Sequence, residues 1–166
     1  IESLRDGRTV FLNGEKIDDV TTHPAYQNSV RSMARLYDAL HDPKSAPTLT
    51  TKTKAGITTQ KFFKASESAQ ELLEARSKLS YGFMGRTPDY KAAFTAHLGP
   101  YADFYKGFED NARRWYEKTT REVPFCNHTI INPQMDRSKP LHENKDVFVR
   151  VVKERDDGII VSGAKM

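Results

Sequence analysis

Apolar positions in the first two-thirds of the chain recur in two ways, as short alternating runs and at helical spacing, and these predict hairpins and helices in turn. Thr9-Val10-Phe11-Leu12, Asn13-Gly14 and Glu15-Lys16-Ile17 predict a tight hairpin, because Asn-Gly supplies the positive φ angles its turn needs. Tyr26, Val30, Met33, Tyr37 and Leu40 recur at steps of four and three. That is one face of a helix, capped by Thr22 near His23-Pro24 and stopped at Asp42-Pro43. Residues 48 to 63, rich in threonine and lysine around Ala55-Gly56, predict a second, exposed hairpin. Ser68 followed by Glu71 forms a capping box that opens a helix through Leu72, Leu73 and Leu79. Thr87-Pro88-Asp89 marks another helix start, and Gly99-Pro100 its end. Phe104, Phe108, Ala112, Trp115 and Thr119 trace a long amphipathic helix reaching about Arg121.

After Pro124 the pattern changes to β. Val147 to Val152, the turn Asp156-Asp157-Gly158 and Ile159-Ile160-Val161 read as a hairpin rich in Val and Ile. Nothing in the pattern covers its edges, which folded proteins normally protect. The expected organisation is a helical domain with hairpins over 1–144 and the first strands of a truncated β domain over 145–166, in a chain that is mainly α.

Composition narrows the function classes. Apolar residues make up 37% of 166, enough for one thin core and a partner surface. The 26 basic and 22 acidic residues give a net charge of +4, spread without a basic stripe, so nucleic acid is not an expected partner. No apolar run has the length of a membrane span. The single cysteine, Cys126, excludes an internal disulfide framework and fits a reducing, cytoplasmic setting. The five histidines show no metal-ligand spacing, so no metal is expected. Gly158 and Gly163 have the spacing of a phosphate loop, but they stand in a hairpin context and Ala164 separates Gly163 from Lys165.

Two segments carry candidate chemistry. In the first, Arg86 and Tyr90 are four apart across a helix start, where unpaired backbone N–H groups favour anions. A guanidinium and a phenol there can hold a phenolate or a carboxylate; the plainer alternative is a surface ion pair beside a core tyrosine. In the second, His128 stands in a stretch without helical period and can orient or deprotonate a bound hydroxyl, or serve as a structural histidine. Gln134, Met135, Asp136 and Arg137 follow Asn132-Pro133; they can hold something flat and anionic, or close a turn with an Asp136–Arg137 ion pair.

On the runs Glu2 to Arg8, Asp19 to Pro24, Leu36 to His41, Met84 to Ala93, Asn132 to Arg137 and Gly158 to Lys165, the chain resembles the oxygenase component of the two-component 4-hydroxyphenylacetate 3-monooxygenase family. The resemblance covers the whole chain as the N-terminal portion of such an enzyme, shorter by a turn or two of helix between Leu73 and Leu79. It implies an acyl-CoA-dehydrogenase-like fold, a homotetramer, FAD used as FADH2 from a separate flavin reductase, and ortho-hydroxylation of a phenol by O2. It further implies that Arg86, Tyr90 and His128 contact the substrate, and that Gln134, Met135, Asp136 and Arg137 lie on the flavin. Two rival readings remain: a dehydratase of related fold, which needs several cysteine and histidine ligands, and a non-catalytic helical binding module.

Overall fold

The computed structural model describes residues 1–75, 90–135, 138–140, 143 and 146–166. It divides into two compact units, Ile1–Cys126 and Asn127–Met166.

The first unit opens with the expected hairpin. Strand β1 (Val10–Leu12) pairs antiparallel with β2 (Glu15–Ile17) in the register Val10↔Ile17. Asn13 at φ 52° and Gly14 at φ 85° form the turn, as Asn-Gly requires. Helix α1 (Gln27–Asp38) starts later than its Thr22 cap predicts. Asp19 absorbs that capping chemistry: its carboxylate accepts the Thr21 N–H at 2.7 Å and its carbonyl accepts the Thr22 hydroxyl. The stripe Tyr26, Val30, Met33, Tyr37 and Leu40 is half-buried rather than fully covered.

Helix α1 ends at Asp38, ahead of the stop expected at Asp42-Pro43, and that pair instead precedes a short helix that periodicity did not reveal, α2 (Ala46–Leu49). The Asp42 carboxylate accepts from the Ser45 hydroxyl at 2.8 Å, and Pro47 stands in the first turn. Leu49 centres a small apolar cluster with Leu36, Ala39, Leu40, Phe62 and Ala75.

The second hairpin, β3 (Thr50–Lys52) with β4 (Thr58–Gln60), forms as predicted and is exposed at Lys52, around its turn at Lys54 to Gly56 and at Thr58, but not throughout. Thr53, Thr59 and Gln60 are buried. Polar composition predicts solvent exposure along the whole hairpin, yet β4 packs under the helix Glu109–Glu122, where small hydroxylated side chains permit close approach. A 3₁₀ turn, Lys61–Phe63, follows β4 and packs on α4 (Tyr90–Ala96). Between them α3 is described over 69–75. The Ser68 hydroxyl accepts the Glu71 N–H at 3.1 Å, half of the expected capping box. The Glu71 carboxylate turns instead to the N–H of Glu67. Leu79 and the start signal Thr87-Pro88-Asp89 lie outside the described residues.

The single long helix expected from Phe104 to Arg121 is two elements. A 3₁₀ turn, Ala102–Phe104, is separated from α5 (Glu109–Glu122) by Gly107 at φ 84°. The inward face of α5 carries Ala112, Thr119 and Thr120, while Phe104, Phe108 and Trp115 are exposed. Alanine and threonine let the helix sit close to the β3–β4 hairpin; bulkier aromatics would hold it away.

The second unit holds an extended stretch, 127–135, and the hairpin β5 (Arg150–Arg155) with β6 (Gly158–Ser162). The ladder runs from Arg150↔Ser162 to Arg155↔Gly158, with an irregularity between Val151 and Lys153. Val147 to Val149, expected in the first strand, precede it; Phe148 bridges Ala164 instead. The boundary expected at 144/145 falls within this unit.

Candidate functional site

Tyr90 is the first residue of α4, the helix whose buried faces are Ala92 and Ala96. The 3₁₀ turn that supports α4 is itself well fixed. Gln60 caps it by accepting the Phe62 N–H at 2.8 Å, and Phe63 has no exposed surface. Arg86, the intended partner of Tyr90, lies outside the described residues.

His128, Gln134 and Met135 all belong to the extended stretch of the second unit, and all three are exposed. The Asn127 side chain accepts the N–H of His128 at 2.7 Å, an asparagine holding the backbone just before the candidate histidine. Asp136 and Arg137 are outside the described residues, so the turn ion pair between them is too. The structure therefore brings His128, Gln134 and Met135 onto one ribbon and sets Tyr90 at a helix start in the other unit.

What sequence reasoning missed is how this ribbon is held. Met166 accepts the N–H groups of Ile130 and Ile131 at 3.0 Å each and returns its own N–H to Ile131 at 2.8 Å. Lys165 Nζ donates to the Ile130 carbonyl at 3.1 Å. Gly163, set aside above as a false phosphate-loop glycine, turns at φ 127° against the Phe148 carbonyl. A glycine in a strand context signals such a close approach, but its partner cannot be read from spacing.

The first unit also holds a lone thiol and a cavity. Burial raises the Cys126 thiol above its ordinary value, away from the reactive thiolate. A cavity of about 350 Å³ opens in the first unit, lined by Lys54, Lys64, Gly99, Arg113, Tyr116 and Glu117 among others. Its three cations are already engaged: Lys54 with Glu67 at 3.0 Å, Lys64 with Glu71 at 2.7 Å, and Arg113 with Asp103 and Asp110. Among the described residues no cluster could hold a metal ion, and no helix is long and apolar enough to cross a membrane.

Comparison with solved structures defines the class first. The oxygenase component of 4-hydroxyphenylacetate 3-monooxygenase, crystallised with FAD and 4-hydroxyphenylacetate, superposes with a TM-score of 0.84 at 32% identity. The match covers 100% of this chain and 37% of that one. An archaeal 4-hydroxybutyryl-CoA dehydratase from N. maritimus shares the fold alone, at TM-score 0.77 and 22% identity. The class this defines is a fold shared with such oxygenase components, which among the described residues is built of helices and short antiparallel hairpins. The chain belongs to the family described as 4-hydroxyphenylacetate 3-hydroxylase N terminal, which it matches over residues 1–166. It is 51% identical to the oxygenase component of 4-nitrophenol 2-monooxygenase from Rhodococcus sp., over 100% of this chain and 34% of the relative. Identity and coverage are the same for the 4-hydroxyphenylacetate 3-monooxygenase oxygenase component of Pseudomonas aeruginosa. The chain thus spans about a third of the length of these relatives. Both alignments run over 174 positions, so the relatives carry positions absent from these 166 residues.

Proposed function

We propose that these residues form the N-terminal part of an oxygenase that inserts one atom of O2 beside the hydroxyl of a phenol, giving a catechol. The other oxygen atom leaves as water. The observation that carries this reading is a match to oxygenase components along the whole chain, at 51% identity to the 4-nitrophenol and 4-hydroxyphenylacetate enzymes. Reduced FAD, supplied by a separate reductase, provides the electrons and activates O2. The remainder of an acyl-CoA-dehydrogenase-like fold and a tetramer of such chains complete the enzyme, with residues 145–166 opening its β domain.

The residues present suit a flavin edge. Gln134 and Met135 stand exposed on an extended backbone, one an amide that can both donate and accept, the other a polarizable apolar surface for a flat ring. Arg137 adds a positive charge suited to an electron-rich reduced ring. For the phenol, Arg86 and Tyr90 stabilise the developing phenolate oxygen and His128 takes its proton. Phenolate formation raises electron density at the adjacent carbon, where oxygen is transferred.

The test uses the full enzyme. Arg86→Ala and His128→Ala are each expected to lower hydroxylation by about 10²–10³, the usual cost of removing one placed charge-stabilising donor. Flavin binding stays near wild type, and Tyr90→Phe, which keeps the ring, costs less. The readout is catechol formed against hydrogen peroxide released per reduced flavin. Wild-type ratios in both the Arg86 and His128 variants would remove the basis for phenolate activation.

A further inference from the structure

We infer that Gly163 and Lys165 are positioning residues, which hold the ribbon carrying His128 and Gln134 where the phenol and flavin must meet it. The inference rests on the proposed oxygenase reading for its functional consequence, and on hydrogen-bond geometry for the strap itself.

An extended stretch makes no ladder within itself, so its position depends on what it pairs with. Residues 127–135 lie outside any regular element, and 165–166 supply their neighbour. Ile131 and Met166 exchange both backbone bonds, at 3.0 and 2.8 Å, as residues of adjacent strands do. The Ile130 N–H joins the same Met166 carbonyl, and the Lys165 ammonium closes on the Ile130 carbonyl at 3.1 Å. The run is anchored in turn to the chain ahead of the hairpin: the Ala164 N–H donates to the Val147 carbonyl at 2.8 Å, and Ala164 bridges Phe148.

Gly163 makes that anchorage possible. Its φ of +127° is open to glycine and rarely adopted by other residues. A Cβ there would lie 2.2 Å from the Phe148 carbonyl oxygen and 2.5 Å from the Val149 nitrogen, both backbone atoms that cannot swing aside. Any side chain must therefore lift residues 164–166 off Phe148 and drag Ile130 and Ile131 with them. His128 is two residues before Ile130 and Gln134 three beyond Ile131. A misplacement of about 1 Å transmitted to reacting groups costs on the order of 10²-fold in rate.

The experiment compares Gly163→Ala, Lys165→Met and Lys165→Arg in the full enzyme, with 4-nitrophenol and 4-hydroxyphenylacetate as probes. Amide hydrogen exchange at Ile130 and Ile131 reports the strap directly, whatever the chemistry. It is expected to quicken at least tenfold in Gly163→Ala and several-fold in Lys165→Met, and to return to wild type in Lys165→Arg. The ratio of catechol to peroxide should fall about tenfold in Gly163→Ala and less in Lys165→Met, with no further fall when either is combined with His128→Ala. Should Gly163→Ala fail to fold, the two lysine variants decide the matter alone. Unchanged exchange at Ile130 and Ile131 overturns the strap, and additive losses with His128→Ala overturn its action through that histidine. A wild-type ratio in His128→Ala would overturn the role given to that residue, while the exchange data still judge the strap.

Discussion

At Gly99 a methyl group in place of hydrogen would lie 2.5 Å from the Tyr116 ring and 2.8 Å from the ring carbon nearest its backbone. The ring cannot yield by swinging its tip, so Gly99→Ala is an overpacking change. We expect a loss of about 1–3 kcal/mol in chemical denaturation, with Gly99→Ser no better. Tyr37 shows a different constraint. Its hydroxyl is covered and has no hydrogen-bond partner among the described residues. Burial, with a smaller contribution from the charge of Cys126, pushes its ionisation up to about 12. The folded state therefore holds this proton more tightly than the unfolded chain, which releases it near pH 10. Tyr37 contributes fully below pH 10, and its contribution disappears as pH rises from about 10 to 12. Tyr37→Phe should leave neutral stability unchanged or slightly raised, since an unpaired hydroxyl is removed, and should flatten the alkaline limb of a stability-against-pH curve. Both residues were visible in the sequence, Gly99 as a helix stop and Tyr37 as part of a helical stripe. Their burdens were not, because a ring approaching a glycine and a hydroxyl missing its partner arise only when distant segments pack.

Among elements, the connection from α4 to α5 is the part that periodicity described least well. Gly107 divides what reads as one helix, and the segment before it is held by a side-chain clasp: His97 Nε2 and the Tyr105 hydroxyl lie 2.5 Å apart. Tyr105→Phe keeps the ring and deletes the clasp, and should cost about 1 kcal/mol in a denaturant melt. Faster amide exchange is expected over 98–108 with little change in α1; uniform exchange throughout would show that the clasp is not local. Local rules account for only part of α5. Its existence, its acidic first turn of Glu109 and Asp110, and its end near Arg121 follow from local rules. Which face points inward did not, because Trp115 outranks Thr119 on any hydrophobic scale, yet Thr119 fits against the hairpin and Trp115 stands half-exposed.

For the molecule as a whole, the telling surface is the β5–β6 hairpin. Val151, Val152, Ile159, Ile160 and Val161 are all between 40% and 62% exposed, on strands whose outer edges pair with nothing among the described residues. Such edges recruit other strands. The 166-residue chain expressed alone should self-associate, and Val151→Lys with Ile159→Lys should shift it toward monomer in light scattering at fixed concentration. An unchanged size distribution would show that the hairpin is not the sticky surface.

The sequence alone determined features that rest on strong signals between neighbours along the chain. Asn13-Gly14 set the first turn, Ser68 and Glu71 a helix start, Asp156-Asp157 the last hairpin, and ordered runs from Glu2 to Lys165 the family. It also put His128, Gln134 and Met135 in a stretch without helical period, and the structure has them on an extended ribbon, with Tyr90 as the first residue of α4. Tertiary structure decided the rest. Thr59 and Gln60 of β4 became core, Trp115 of α5 faced outward, and Gly163 became the point where one backbone run docks on another. The reason is physical: turn and cap preferences act over a few residues, whereas burial and close approach depend on which remote atoms fill the space beside a side chain, and spacing along the chain carries no record of that.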